Sequence, residues 1–212
     1  IVTFLAAIGA LLIIRVPQPE RSLVGAQAQG SLLKEAAFGF HYIFARRSLL
    51  GLQLVFMFGN FFTSAAFTIF TPMILARTNN DEPTLGLVQS AFGVGGVVGG
   101  LLLTAWGGPK RRVHGVLLGW IVSSLGILLL GLGRGLAVWV FAALFTSLIS
   151  PTINGSNQSI WQAKVPPDIQ GKVFSARRMI AWLVNPVAAL IAGPLADNVL
   201  EPAMREGGAL TG

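Results

Sequence analysis

The sequence predicts an all-α membrane protein, a bundle of helices that cross a bilayer in alternating directions. Three observations predict it. Mean hydropathy is +0.71, with 53% of residues hydrophobic and 11% charged, where soluble domains carry roughly a quarter charged residues. Five segments contain the run of about 20 apolar residues that a helix needs to cross a hydrocarbon layer roughly 30 Å thick. No segment alternates in the manner of a lipid-facing barrel strand, so helices remain as the structure that meets every backbone group within lipid.

The elements follow in order. Residues 1–16 open on the apolar run Ile1–Ile14, with no Met, no basic start and no small-residue cleavage site. They read as the end of a transmembrane helix that begins outside the chain, which makes the chain a fragment. Residues 17–48 read as a cytoplasmic linker with an amphipathic helix. Pro17 to Gly30 is rich in Pro, Gly, Gln and Ala, and Ser31 to Arg47 sets Leu32, Leu33, Ala36, Ala37, Phe40, Ile43 and Phe44 at helical spacing. That helix either lies on the membrane surface or continues as a connector into the next span. Residues 49–199 hold five transmembrane helices, at Leu49–Ala76, Leu85–Trp106, Val113–Leu132, Leu136–Trp161 and Ala176–Val199. Residues 200–212 read as an extracytoplasmic segment.

Orientation follows from the cations. One set of connections holds Arg15, Arg21, Lys34, Arg46, Arg47, Lys110, Arg111, Arg112, Lys164, Lys172, Arg177 and Arg178, and the other holds Arg77, Arg134 and Arg205. Of the 15 Lys and Arg, 12 against 3 divide this way, which assigns the first set to the cytoplasm. The net charge of +7 is spread along these turns rather than gathered in one patch, so nucleic acid is not an implied partner.

Several chemistries drop out. There are 0 Cys, hence no disulfide and no thiolate metal site. His41 and His114 are remote from each other, and no HExxH, GxSxG or intramembrane carboxylate pair occurs. An enzyme, a metal or a cofactor has no residues to rest on. Asn154 and Asn157 both begin glycosylation sequons, but these fall at the expected cytoplasmic end of a span.

Polar residues inside the spans form stripes. Gln53, Asn60, Ser64, Thr68 and Thr71 share one helix face, and Thr146, Ser150, Asn154, Asn157 and Trp161 share another. Such groups turn toward a neighbouring helix or a watery cavity. Two readings stay open, glue between helices and cavity lining; the candidates for lining are Gln53, Asn60, Gln89, Asn154, Asn157 and Asn185. In Leu85–Trp106 the pairs Gly95/Gly99 and Gly96/Gly100 predict close helix approach. The turn with Lys110, Arg111 and Arg112 and the turn with Pro166, Pro167, Asp168, Gly171, Lys172 and Arg177 are each an anchor to anionic lipid or a gate latch. Pro166 and Pro167 fix φ there, and Gly171 permits a sharp bend.

Val165-Pro166-Pro167 with Gly171-Lys172-Val173-Phe174-Ser175 resembles the loop between helices 10 and 11 of major facilitator superfamily exporters, in the branch of the enterobactin-exporter-like and macrolide-efflux permeases. Trp106 to Arg112 resembles that branch's loop between helices 8 and 9, and Pro194-Leu195-Ala196-Asp197, Glu201-Pro202 and Gly207-Gly208 resemble its stretch after helix 11. Lys172 stands where the family usually has Arg, and Phe38-Gly39 and His41-Tyr42 stand in place of its Glu-Gly and Arg-Tyr.

The resemblance implies a partial major-facilitator-type helical bundle, the end of helix 6 plus helices 7–11, with residues 200–212 standing before a missing last helix; helices 7, 8, 10 and 11 line the cavity and helix 9 is peripheral. It implies a secondary active transporter in the inner (plasma) membrane of a bacterium, exporting small amphipathic compounds (drug or siderophore) against protons by alternating access. The implied partners are the lipid bilayer, the small-molecule substrate and the chain's own amino-terminal six-helix half. The alternatives are a non-transporting membrane scaffold or assembly partner, and an importer or uniporter on the same fold. No complete span has an acidic residue or His near its middle, so a proton carrier would lie elsewhere.

Overall fold

A computed structural model describes residues 9–10, 22 and 30–204 of the chain. Of the expected helix over 1–16 only Gly9 and Ala10 are described, and both are helical. The rest of that helix, the linker over 17–29 apart from Ser22, and residues 205–212 lie outside the described residues.

The described elements are α1 (Leu32–Phe44), α2 (Arg47–Arg77), α3 (Glu82–Trp106), α4 (Arg112–Leu132), α5 (Leu136–Lys164), a 3-10 turn (Pro167–Ile169), α6 (Gln170–Leu195), a π-helical stretch (Ala196–Leu200) and the short α7 (Glu201–Met204). No strand occurs among the described residues. Five helices are long and apolar enough to cross a membrane, and they contain the five expected spans. The last is longer than expected at its start: Pro166 and Pro167 open a 3-10 turn, and α6 begins at Gln170, before the apolar run does.

Turn chemistry sets the alternation. Asn79 and Asn80 take left-handed backbone between α2 and α3, and Gly107 and Gly108 do so between α3 and α4, with φ of 78° and 79°. Glycine meets that requirement without a Cβ penalty. Arg112 Nη1 donates to the Gly107 carbonyl at 3.0 Å and closes the end of α3. At the opposite end Arg77 Nη1 donates to the carbonyls of Gly131 and Gly133, and Trp139 Nε1 also reaches Gly133. These bonds meet the carbonyls of Gly131 in the last turn of α4 and of Gly133 at its C-cap, which have no partner within the helix.

Packing divides the bundle. α5 seats both α3 and α4, whereas α6 seats α1 and α2. A Cβ on Gly95 would strike Ser147 and Leu144, and one on Gly99 would strike Leu148 backbone. Gly96 and Gly100 have nothing within 4 Å. Only the first of the two expected glycine pairs therefore carries the α3–α5 contact. α4 uses the same device, with Gly115, Gly119 and Gly126 against Ser156, Ile153 and Thr146 of α5.

Three apolar clusters join the two groups of helices. One gathers Tyr42, Ile43, Leu49, Trp161, Val165, Ile169, Val173 and Ala176. A second gathers Phe70, Ile74, Val88, Ala91, Leu130, Trp139, Ala142 and Ala143 at the other end. Phe56, Val116 and Ile153 form a smaller one between them.

α1 is docked rather than merely laid alongside. Gly39 abuts the Lys172 carbonyl and Ala176, Tyr42 Oη donates to the Lys164 carbonyl at 3.3 Å, and Glu35 Oε1 pairs with Lys172 Nζ at 3.2 Å. The buried face runs through Gly39, Tyr42 and Ile43, while Leu33, Ala36, Ala37 and Phe44 are exposed. The helix thus has two apolar sides, and the expected stripe mixed them. Phe38 and His41, where the family has Glu and Arg, carry no ion pair among the described residues, and the ion pair of α1 comes from Glu35 one turn before Phe38.

Candidate functional site

A hollow of about 230 Å³ lies where α2, α4 and α5 meet. Asn60 and Thr63 of α2, Ser123 of α4, and Thr146, Ser147, Ser150 and Asn154 of α5 line it, with Phe56, Phe67, Phe92 and Trp120 as aromatic walls. No ionisable side chain is among the lining residues. Two of its buried polar atoms, Trp120 Nε1 and Thr146 Oγ1, have no hydrogen-bond partner among the described residues. A buried polar group left unmet costs about 1–3 kcal/mol. A hollow carrying two of them suits a guest with hydrogen-bonding groups, water included.

The two polar stripes meet this hollow only in part. On α2, Gln53 is 2% exposed and its Nε2 donates to the Arg177 carbonyl at 3.1 Å. Asn60 Nδ2 donates to Ala181 O and Ser64 Oγ to Asn185 O, each at 3.4 Å. The stripe forms three rungs onto the backbone of α6, and Asn60 serves both the rungs and the hollow. On α5 the stripe splits. Thr146, Ser150 and Asn154 line the hollow, and Asn154 Nδ2 folds back onto Ser150 O at 3.0 Å. Asn157 is buried with an unpartnered Oδ1 among the described residues, and Trp161 packs in the cluster with α1 and α6.

Gln89 and Asn185 are exposed and line no part of this hollow. Gln89 shares its side of α3 with Gly93, beside which there is open space. Sequence reasoning passed over Trp120 and Ser123, because the resemblance implied that helix 9, here α4, is peripheral, whereas both residues line the hollow. The small-xxx-small spacing of Gly115 and Gly119 was the signal that α4 sits tight against α5.

The two basic turns stand at one end of the bundle. Arg47, Val113 and Lys164 border a common crevice there, and Gly115 meets both Pro109 and Ser156. Lys110 and Arg111 are exposed, and no carboxylate pairs with either among the described residues. Pro166 precedes the 3-10 turn and Pro167 starts it, but the bend expected at Gly171 does not form: Gly171 lies in the first turn of α6, exposed with open space around it. Asp168 Oδ2 accepts from both the backbone N–H and the hydroxyl of Ser22, each at 2.8 Å, which ties the linker to this turn. Arg177 is half-buried: Nη1 donates to Gln158 Oε1 at 3.1 Å, and the guanidinium stands 5.2 Å from the Trp161 ring and 5.5 Å from the Phe174 ring.

Comparison with known proteins adds a family. The model of the family described as Major Facilitator Superfamily matches residues 1–198. Macrolide efflux protein A of Streptococcus pyogenes is 24% identical over 196 residues, covering 88% of this chain and 46% of that protein. Macrolide efflux protein A of Enterococcus faecalis is 25% identical over 186 residues, covering 84% of this chain and 55% of that protein. The chain spans about half the length of these relatives. No solved structure gives a significant match.

Proposed function

The chain belongs to the Major Facilitator Superfamily, and on that premise we propose that it is part of a secondary active exporter of small amphipathic compounds. Export is driven by protons, and alternating access exposes a site near the membrane midplane between two six-helix halves. The observation that carries the reading is the shared hollow of Asn60 and Asn154, with aromatic walls, unmet polar groups and no charge. Efflux is also what the similar streptococcal and enterococcal proteins are named for.

In this proposal Asn60 and Asn154 contact solute within the hollow, Gln89 and Asn185 meet it from surfaces completed by the other half, and Asn157, buried here with an Oδ1 unpartnered among the described residues, is uncovered to it in another transport state. Gln53 holds α2 to α6 beside it. The turn at Lys110–Arg112 and the segment 164–178, a 3-10 turn that runs into the start of α6, act as gate elements. The basic end faces the cytoplasm of a bacterial inner membrane, as the division of 12 cations against 3 favours. The hollow holds no titratable group, so the proton carrier belongs to the other half of the protein.

The test is solute flux in vesicles containing the protein, with and without an imposed proton gradient. Gradient-dependent flux that collapses in the Asn60→Leu, Asn154→Leu double variant supports the reading. Flux equal to wild type in that variant removes the hollow from the path, and flux indifferent to the gradient removes proton coupling.

A further inference from the structure

Trp120 stands between two voids. It lines the hollow of about 230 Å³, and together with Thr63 and Ile127 it also lines a crevice of about 490 Å³ between α2 and α4. The indole is thus a wall of the hollow, and it is held from two sides. The Phe56 ring meets it edge-on with centroids 5.8 Å apart, and a Cβ on Gly59 would strike it. A ring fixed in this way carries its polar atom at a fixed place.

That atom is chemically one-sided. Indole Nε1 can donate and cannot accept, and here it is buried with no acceptor among the described residues. Asn60 and Asn154 turn their amide nitrogens to backbone carbonyls, whereas the indole N–H meets none. Before a guest enters, water can serve it. A guest that displaces the water without bringing an acceptor leaves a buried donor unmet, and affinity falls accordingly. Charge is disfavoured as well: no lining residue is ionisable, so an ammonium or carboxylate would lose its hydration without gaining a counter-charge. A carbonyl, ester or ether oxygen meets the N–H at no such cost.

We propose that Trp120 determines the specificity of the hollow, its N–H selecting guests that place an uncharged acceptor oxygen against it. The proposal rests on the reading that the hollow takes solute, and it names the chemical class of the group that enters. Trp120 lies on α4, so the selecting donor comes from a span other than the two that carry the polar stripes.

The test titrates the purified protein in detergent with acetophenone, with its hydrocarbon isostere isopropenylbenzene, and with 1-phenylethylammonium. The indole N–H resonance of Trp120, assigned by its cross-peaks to the Phe56 ring, moves with the ketone and stays in place with the other two. Melting temperatures followed in the same titrations give half-saturating concentrations. Trp120→Phe keeps an aromatic wall and removes the donor, and it lowers the preference for ketone over hydrocarbon about fivefold, the share of one neutral hydrogen bond. Comparing that ratio between the two proteins cancels the partition of each probe into detergent. Trp106→Phe, at the exposed end of α3, leaves the ratio unchanged. The wild-type resonance tests the proposal even if Trp120→Phe does not fold. An indole resonance indifferent to the ketone overturns the proposal, as does an unchanged ratio in Trp120→Phe. An ammonium that matches the ketone overturns the selection for an uncharged group, and no response to any probe overturns the site altogether. Binding is read here without a gradient, so a failed flux experiment would remove the transport reading and leave a positive result in this one standing.

Discussion

Gln53 and Arg177 hold each other in an asymmetric way: the amide of the first donates to the backbone carbonyl of the second at 3.1 Å, while the arginine side chain turns away to Gln158 and Trp161. The bond ties α2 to α6 where both enter the bundle from the basic end. The Arg177 carbonyl lies inside a helix, so it keeps its intrahelical partner when the amide is removed. Gln53→Leu, of similar size, should therefore lower stability only by about 0.6 kcal/mol, the mean for such bonds between membrane helices. A loss well above about 2 kcal/mol in reversible unfolding would mean that the amide carries a further buried contact.

The two glycine pairs of α3 should separate cleanly. Gly99→Ala drives a methyl into Leu148 backbone and is expected to cost about 1–3 kcal/mol, as overpacking does. Gly96→Ala meets open space and should be neutral or stabilise by up to about 1 kcal/mol through helix propensity. Melting temperatures of the two single variants decide it, and equal losses would contradict the α3–α5 packing.

Thr146 carries a buried hydroxyl without a partner among the described residues. Thr146→Val keeps the shape and removes the unmet group, so stability in the absence of solute should rise by about 1 kcal/mol. Solute flux should fall several-fold if the hydroxyl meets the solute. Falling stability together with unchanged flux would show that water already satisfies it.

The Glu35–Lys172 pair joins α1 to α6 from partly exposed positions. Glu35→Gln should cost no more than about 1 kcal/mol and less in high salt. The exchange Glu35→Lys with Lys172→Glu should recover most of what either reversal loses. Protease protection of α1 reports docking, and failure of the exchange to restore it would assign the docking to Gly39 and Tyr42 alone.

Much of the fold was legible in the sequence because transfer of a long apolar run into lipid outweighs other local preferences. All five spans lie inside helices at the expected positions, and the end of α3 at Gly107 follows from a residue that tolerates left-handed backbone. The site was legible in kind but not in assignment. Periodicity places Gln53 and Asn60 on one side of α2, but whether an amide meets a carbonyl or a cavity depends on the distance to α6, which no one-dimensional pattern contains. Trp120 was invisible for a related reason: an aromatic residue in an apolar span reads as lipid-facing until a glycine, here Gly59, is found beside its ring. The same holds for α1, whose two apolar sides look alike until Gly39 shows which one α6 touches.

The apolar clusters sit mainly at the two ends of the bundle, with the hollow and only the small Phe56–Val116–Ile153 contact between them. A rod clasped top and bottom cannot splay uniformly. Mechanical compliance belongs to its waist, so the softest deformation bows α2 away from α4 and enlarges the chamber while both clasps stay shut. Residues there, Gly59 and Trp120 first among them, set the stiffness of that motion.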